Sequence, residues 1–177
     1  MKVIFTDHFG VLCLANKHGI ESKWDELPRI NEMRVHNRFD NFDEGAVKVF
    51  NSILENDVEV VVSSDWKRWS SINDMGEFYL SQGIIKKPLS STPNFNELEK
   101  PDDFKLDNKF IVQQQRSFEI KYWLKEHSEV DSWVAIDDLY LGDVHHSWGL
   151  KNFVWINRTD EGLKQLGVKE KVSNFLN

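Results

Sequence analysis

Short β-branched runs alternate with longer amphipathic segments along this chain, and that order restricts the fold more than any other feature. It is the pattern of a parallel sheet covered by helices on both faces. The strands read as Lys2 to Thr6, Val58 to Ser63, Trp133 to Ile136 and Phe153 to Ile156, with Phe110-Ile111-Val112 as a short strand candidate. One helix starts at Asp43, an N-cap residue, and places Ala46, Val47, Phe50, Ile53 and Leu54 at helical spacing before stopping near Asn56-Asp57. A second follows Trp66, with Ile72, Met75, Phe78, Tyr79 and Leu80 apolar, and ends at Gly83. Ser117 to His127 and Val168 to Leu176 are helical, and the Pro-rich stretch from Lys86 to Asn108 reads as loop.

The expected architecture is a three-layer, Rossmann-like α/β domain spanning residues 1–177. Its length suits one core, and 40% hydrophobic residues suit a globular chain. Residues 13–42 interrupt the alternation with little periodicity and nearly balanced charge, so they read as a lid or substrate-loop insertion. A net charge of −7 argues against non-specific binding of long nucleic acid, which needs a broad basic face. It leaves room for a nucleotide or a strand end. Cys13 is the only cysteine, which removes internal disulfides and cysteine-based metal sites and fits a reducing compartment. No apolar stretch approaches a membrane span, so the expectation is a soluble, cytoplasmic protein with no membrane partner.

Ligands of open α/β sheets bind beyond the carboxyl ends of the strands. Asp7, Ser63-Ser64 and Asp137-Asp138 all fall at predicted strand ends, and their convergence would assemble a polar site. A carboxylate that attacks phosphorus needs its own charge and the phosphate's charge offset. A divalent cation held by further carboxylates does this. A hydroxyl such as that of Ser64 donates to a phosphate oxygen, and a cationic side chain clamps another. His145-His146 is read as surface, since neighbouring histidines on a helix face different ways. Trp66 and Trp69 are candidates for lining the pocket or stacking a base, against a core role.

Three segments carry a family resemblance. Asp7-His8-Phe9-Gly10-Val11, Ser64-Asp65-Trp66-Lys67-Arg68 and Trp133-Val134-Ala135-Ile136-Asp137-Asp138 resemble motifs one, two and four of the haloacid dehalogenase (HAD) superfamily. With Arg116-x-x-Glu119-Ile120-x-x-Trp123-Leu124 they are most similar to the HAD domain of the Swiss Army Knife RNA repair proteins. A more distant likeness is to the 3′-phosphatase domain of phage polynucleotide kinase. The resemblance implies a HAD-like fold and an Mg²⁺-dependent phosphohydrolase acting on a phosphorylated small molecule or a nucleic-acid end. Asp7 would be the catalytic nucleophile that forms an aspartyl-phosphate. Asp7, the Phe9 backbone carbonyl, Asp137 and Asp138 would supply Mg²⁺ ligands. Ser64, with Ser63 as second choice, would bind phosphate. Arg116 would replace the usual motif-three lysine, with Lys121 as the alternative.

Phe9 departs from the pattern. Phosphatases of the superfamily place an acid–base aspartate two residues after the nucleophile, and a phenyl ring transfers no proton. General acid–base help is typically worth ~10²–10⁴-fold. The chain is then a slow enzyme for good leaving groups, an enzyme that recruits another group such as His8 or one from the 13–42 loop, or a catalytically silent binding protein. Strand alternation points His8 away from Asp7. A C-halogen dehalogenase is a further alternative, because Asp-x-Phe-Gly also resembles those enzymes, although they lack an Asp-Asp motif of this form.

Overall fold

The computed structural model describes residues 1–14, 41–55, 57–102, 104–142 and 148–177. The readings of residues 13–42 as a lid and of His145-His146 as surface fall largely or wholly outside them. Five parallel strands form the sheet: β1 (Lys2–Thr6), β2 (Val58–Val62), β3 (Ser90–Ser91), β4 (Ser132–Asp137) and β5 (Phe153–Trp155). Their order is β3-β2-β1-β4-β5, so the chain builds outward from β1 to one side and then to the other. The reversal lies between β1 and β4, the place at which open α/β sheets bind ligands beyond the strand ends. In register, Thr6 pairs with Val62 on one side and Ile136 on the other, which brings the residues after each strand to one level.

Four helices cover the sheet: α1 (Glu44–Leu54), α2 (Ile72–Ser81), α3 (Ile111–Lys125) and α4 (Val168–Leu176). One face packs Ile4, Val60, Val62, Val134 and Ile136 against buried residues of α1, α2 and α4. The other packs Val3, Phe5, Val61 and Ala135 against Ile120 and Trp123 of α3. Alternate residues of each strand thus serve opposite layers. Asp43 caps α1, its Oδ1 accepting from the Ala46 amide at 2.8 Å. Gly83, at φ +85°, turns the chain after α2 in the left-handed conformation that glycine adopts without a Cβ clash. The Asp43 amide also donates to the Leu12 carbonyl at 2.8 Å, so the chain leaves and rejoins the domain at neighbouring points around residues 13–42.

Two sequence expectations need correction. Phe110-Ile111-Val112 is not a strand: Phe110 caps α3, whose first residues are Ile111 and Val112, both exposed. Their β-branched character is overridden by the turn that launches the helix, in which Phe110 N donates to Asp107 O at 2.9 Å. Gln114 closes that turn by accepting from the Asp107 amide at 3.1 Å. The helix therefore begins six residues before Ser117, the start read from the sequence, and includes Arg116. The loop from 86 to 108 contains β3, only two residues long, and a 3-10 turn at Phe95–Glu97. Ile72 and Leu80 of α2 face solvent.

Candidate functional site

β1 ends where its backbone still bonds to both neighbours. The Asp7 amide donates to Ile136 O at 3.0 Å, and the Ser63 amide donates to Thr6 O at 2.9 Å. Asp7, Ser63 and Asp137 therefore stand side by side at the carboxyl edge. The chain turns sharply after Asp7: the His8 carbonyl accepts from the Leu12 and Cys13 amides at 2.9 and 2.8 Å. Gly10 sits in this turn at φ +67°, and a Cβ there would lie 2.8 Å from Asp138 Cβ and 2.7 Å from Thr159 Cγ2. The glycine is thus required twice, by its backbone angle and by the approach of Asp138.

Carboxylate oxygens of Asp7, Asp137 and Asp138 lie within 4.8 Å of one another. Asp7 and Asp137 are buried and Asp138 is half-buried. Arg116 reaches into this cluster from α3. Its Nη1 lies 2.8 Å from Asp7 Oδ2 and 2.9 Å from Asp137 Oδ2, while Nη2 lies 3.5 Å from Asp65 Oδ2. Burial opposes the guanidinium charge, but Asp137 and Asp7 outweigh it and hold the Arg116 pKa well above its ordinary value. Burial pushes Asp137 well above the ordinary carboxylate range; Arg116 opposes that rise and Asp7 adds to it. Asp138 is pushed up to about 6, first by burial and then by the Asp7 charge. Asp137 Oδ1 also accepts from the Leu139 amide at 2.8 Å, which fixes its orientation.

A set of hard oxygen donors this close fits a divalent cation of the Mg²⁺ kind better than it fits mutual repulsion. One guanidinium shared by two of the three carboxylates offsets only part of their charge. Ser63 and Ser64 follow β2 at the same edge, and both are buried at 2% exposure. Their hydroxyls have no hydrogen-bond partner among the described residues. A buried, unsatisfied hydroxyl is costly unless a ligand completes it.

The neighbouring cations sort by what they already bind. Lys67 donates to Thr92 Oγ1 at 2.8 Å, Pro93 O at 2.9 Å and Glu119 Oε2 at 2.5 Å. An ammonium has three protons, so these contacts use all of them. Burial lowers the Lys67 pKa although Glu119 works the other way. Glu119 also accepts from the Phe95 amide at 2.7 Å, so this ion pair ties the turn after β2 to α3 and to the segment after β3. Sequence reasoning quoted both residues but assigned neither a role. The available signal was the three-residue spacing of Arg116 and Glu119, which sets both on one side of α3. Asp65, the further partner of Arg116, was missed in the same way.

Other candidates fall elsewhere. The Lys121 ammonium lies 5.7 Å from the Trp148 ring centroid, whereas Arg116 is the cation paired with Asp7 and Asp137. Trp66 is fully buried in the core beside Phe42 and Phe78, which excludes it from stacking on a base. Trp69 packs against the same cluster. His8 is wholly buried, its Nε2 2.7 Å from Tyr79 Oη and its ring 4.3 Å from that of Trp66. Burial, helped by the Arg116 charge, lowers its pKa to about 3. A neutral imidazole enclosed on the α1 and α2 side cannot take over the proton transfer that Phe9 lacks. The Phe9 ring itself stands edge-on to Trp66 at 5.6 Å.

Residues 3–165 match the family described as the HAD domain in Swiss Army Knife RNA repair proteins. No curated protein and no solved structure matches the chain. Among the described residues no helix is long and apolar enough to cross a membrane.

Proposed function

Because this chain belongs to the HAD-domain family of the Swiss Army Knife RNA repair proteins, we propose that it is an Mg²⁺-assisted phosphohydrolase acting on a nucleotide or polynucleotide end. The observation that carries this reading is the meeting of Asp7, Asp137 and Asp138 with Arg116 at the reversal point of the sheet. Asp7 Oδ attacks phosphorus and the ester bond breaks, leaving an aspartyl-phosphate that water later hydrolyses. Asp7, Asp137, Asp138 and the Phe9 carbonyl would hold the cation, which offsets the charge shared by nucleophile and phosphate. Arg116 pairs with the Asp7 carboxylate and holds it at the edge, and its Nη2 would meet a phosphate oxygen in exchange for Asp65. The Ser64 and Ser63 hydroxyls donate to the remaining phosphate oxygens.

Among the described residues no group takes the place of the missing acid–base aspartate. The leaving group therefore departs unprotonated and takes its proton from solvent, which favours substrates with acidic leaving groups. The same observation favours a second reading, a HAD-like protein that binds the phosphorylated end without turnover. A carbon–halogen dehalogenase is less well supported, since it gives Asp137 and Asp138 no task.

Hydrolysis of an aryl phosphate and of phosphorylated oligonucleotides with Mg²⁺ tests the readings, using the parent, Asp7→Asn and Phe9→Asp. Asp7-dependent turnover in the parent supports the phosphohydrolase. A silent parent with activity gained in Phe9→Asp supports binding without turnover. Folded but silent parent and Phe9→Asp proteins would remove the phosphoryl-transfer site altogether.

A further inference from the structure

Beside the carboxylate cluster a cleft of about 330 Å³ opens, lined by Arg68, Asn94, Phe95, Asn96, Glu97 and Gln115. Its lining connects to the site through neighbouring residues. Gln115 directly precedes Arg116 on α3, and Arg68 Nε lies 3.4 Å from Asp65 Oδ1, whose other oxygen faces Arg116. The ion pairs Arg68–Asp65, Asp65–Arg116 and Arg116–Asp7 thus run from the cleft's lining to the carboxylate cluster.

The lining is rich in hydrogen-bonding capacity that the protein leaves open. The side-chain amides of Asn96 and Gln115 have no partner among the described residues. Arg68 is half exposed, and its one long contact to Asp65 leaves most of its donors available. Asn94 Nδ2 donates to Glu97 Oε1 at 3.0 Å, which fixes that carboxylate in the wall. Amides donate and accept, the guanidinium donates and the carboxylate accepts. Together they complement a group dense in both, such as a nucleobase edge and sugar hydroxyls, rather than an aliphatic or aryl leaving group. Charge narrows the choice further. Arg68 is balanced by Asp65, and Glu97 adds a negative charge, so the cleft has no positive excess to hold a run of phosphodiesters.

Resting on the phosphate-site reading above, we propose that this cleft seats the nucleoside of a terminal nucleotide, with Arg68, Asn96, Glu97 and Gln115 as its recognition residues. The substrate is thereby specified by one nucleoside and its phosphate, not by a longer polyanion.

Equilibrium binding to the Asp7→Asn variant of the 177-residue chain with Mg²⁺ tests this without depending on turnover. The probes are inorganic phosphate and the 3′- and 5′-monophosphates of uridine. At least one nucleotide is expected to bind about tenfold tighter than phosphate. Asn96→Ala and Gln115→Ala, both at accessible positions, should each weaken that nucleotide about three- to tenfold and leave phosphate unchanged. Equal affinities for phosphate and both nucleotides, or variants that weaken both ligands alike, would overturn the cleft assignment alone. Absence of binding by phosphate and by both nucleotides would overturn the phosphate site beneath it.

Discussion

Asp7 and His8 are consecutive residues at the end of one strand, yet the fold places them in opposite surroundings. Asp7 enters a cluster of three carboxylates and one guanidinium on the α3 side. His8 enters an aromatic nest of Phe42, Trp66 and Tyr79 on the α1 and α2 side. The first region concentrates carboxylates around one guanidinium, whereas the second removes charge from an ionisable side chain. Both follow from the alternation of side chains across a strand. The pair shows that consecutive titratable residues need not share their chemistry.

The comparison breaks most decisively at Asp7. Asp7→Asn should reduce aryl phosphate hydrolysis to background without lowering the melting temperature, as initial rates and thermal melts on the same protein would show. Turnover at the parental rate would remove Asp7 as nucleophile. Phe9→Asp should raise the rate on esters with poor leaving groups by ~10²–10⁴-fold and change aryl phosphate hydrolysis far less. A uniform gain on both would mean that the new carboxylate acts on something other than the leaving group.

Arg116→Ala leaves two buried carboxylates without their cation and should cost about 3–5 kcal/mol of stability, read from urea denaturation. Mg²⁺ should recover part of this loss if the carboxylates form a cation site, and chelation should abolish the recovery. On the other side of β1, Tyr79→Phe should cost about 1–3 kcal/mol, because His8 Nε2 loses its buried partner. Hydrolysis rates should stay unchanged, since that contact lies outside the carboxylate cluster.

The smallest effect is a difference in pH slope. With the folded His8 pKa near 3 against an ordinary 6.5, the unfolded chain binds a proton in that window that the folded chain refuses. His8 therefore makes stability fall as pH falls from about 6.5 toward 3. Protonation of Asp138, whose folded pKa is raised to about 6, acts in the opposite direction between about 4 and 6. A His8→Phe protein should lose stability less steeply with acidification than the parent, as melts across that range would reveal.

Several parts of the site were legible because they depend on local pattern. Asp7 and Asp137 stand at the ends of apolar runs, and two parallel strands in register carry such ends to one level. The resemblance supplied Arg116, and the geometry brings it to Asp7 and Asp137, while Lys121 lies on another side of α3. Less of the surrounding frame could be read. β3 is too short to show a period, and the apolar start of α3 imitates a strand. The Lys67–Glu119 pair joins residues 52 positions apart, with no local trace of the contact.

The sequence by itself determined the alternating α/β order, the capped start of α1, and the strand-end carboxylates, since each rests on residues close together in the chain. Only the tertiary structure decided which of Arg116, Lys67 and Lys121 meets Asp7, and that His8 and Trp66 belong to the core. Those outcomes depend on strand order, helix rotation and burial. They are set by contacts between distant segments, where one cation finds two carboxylates and another spends its three protons elsewhere.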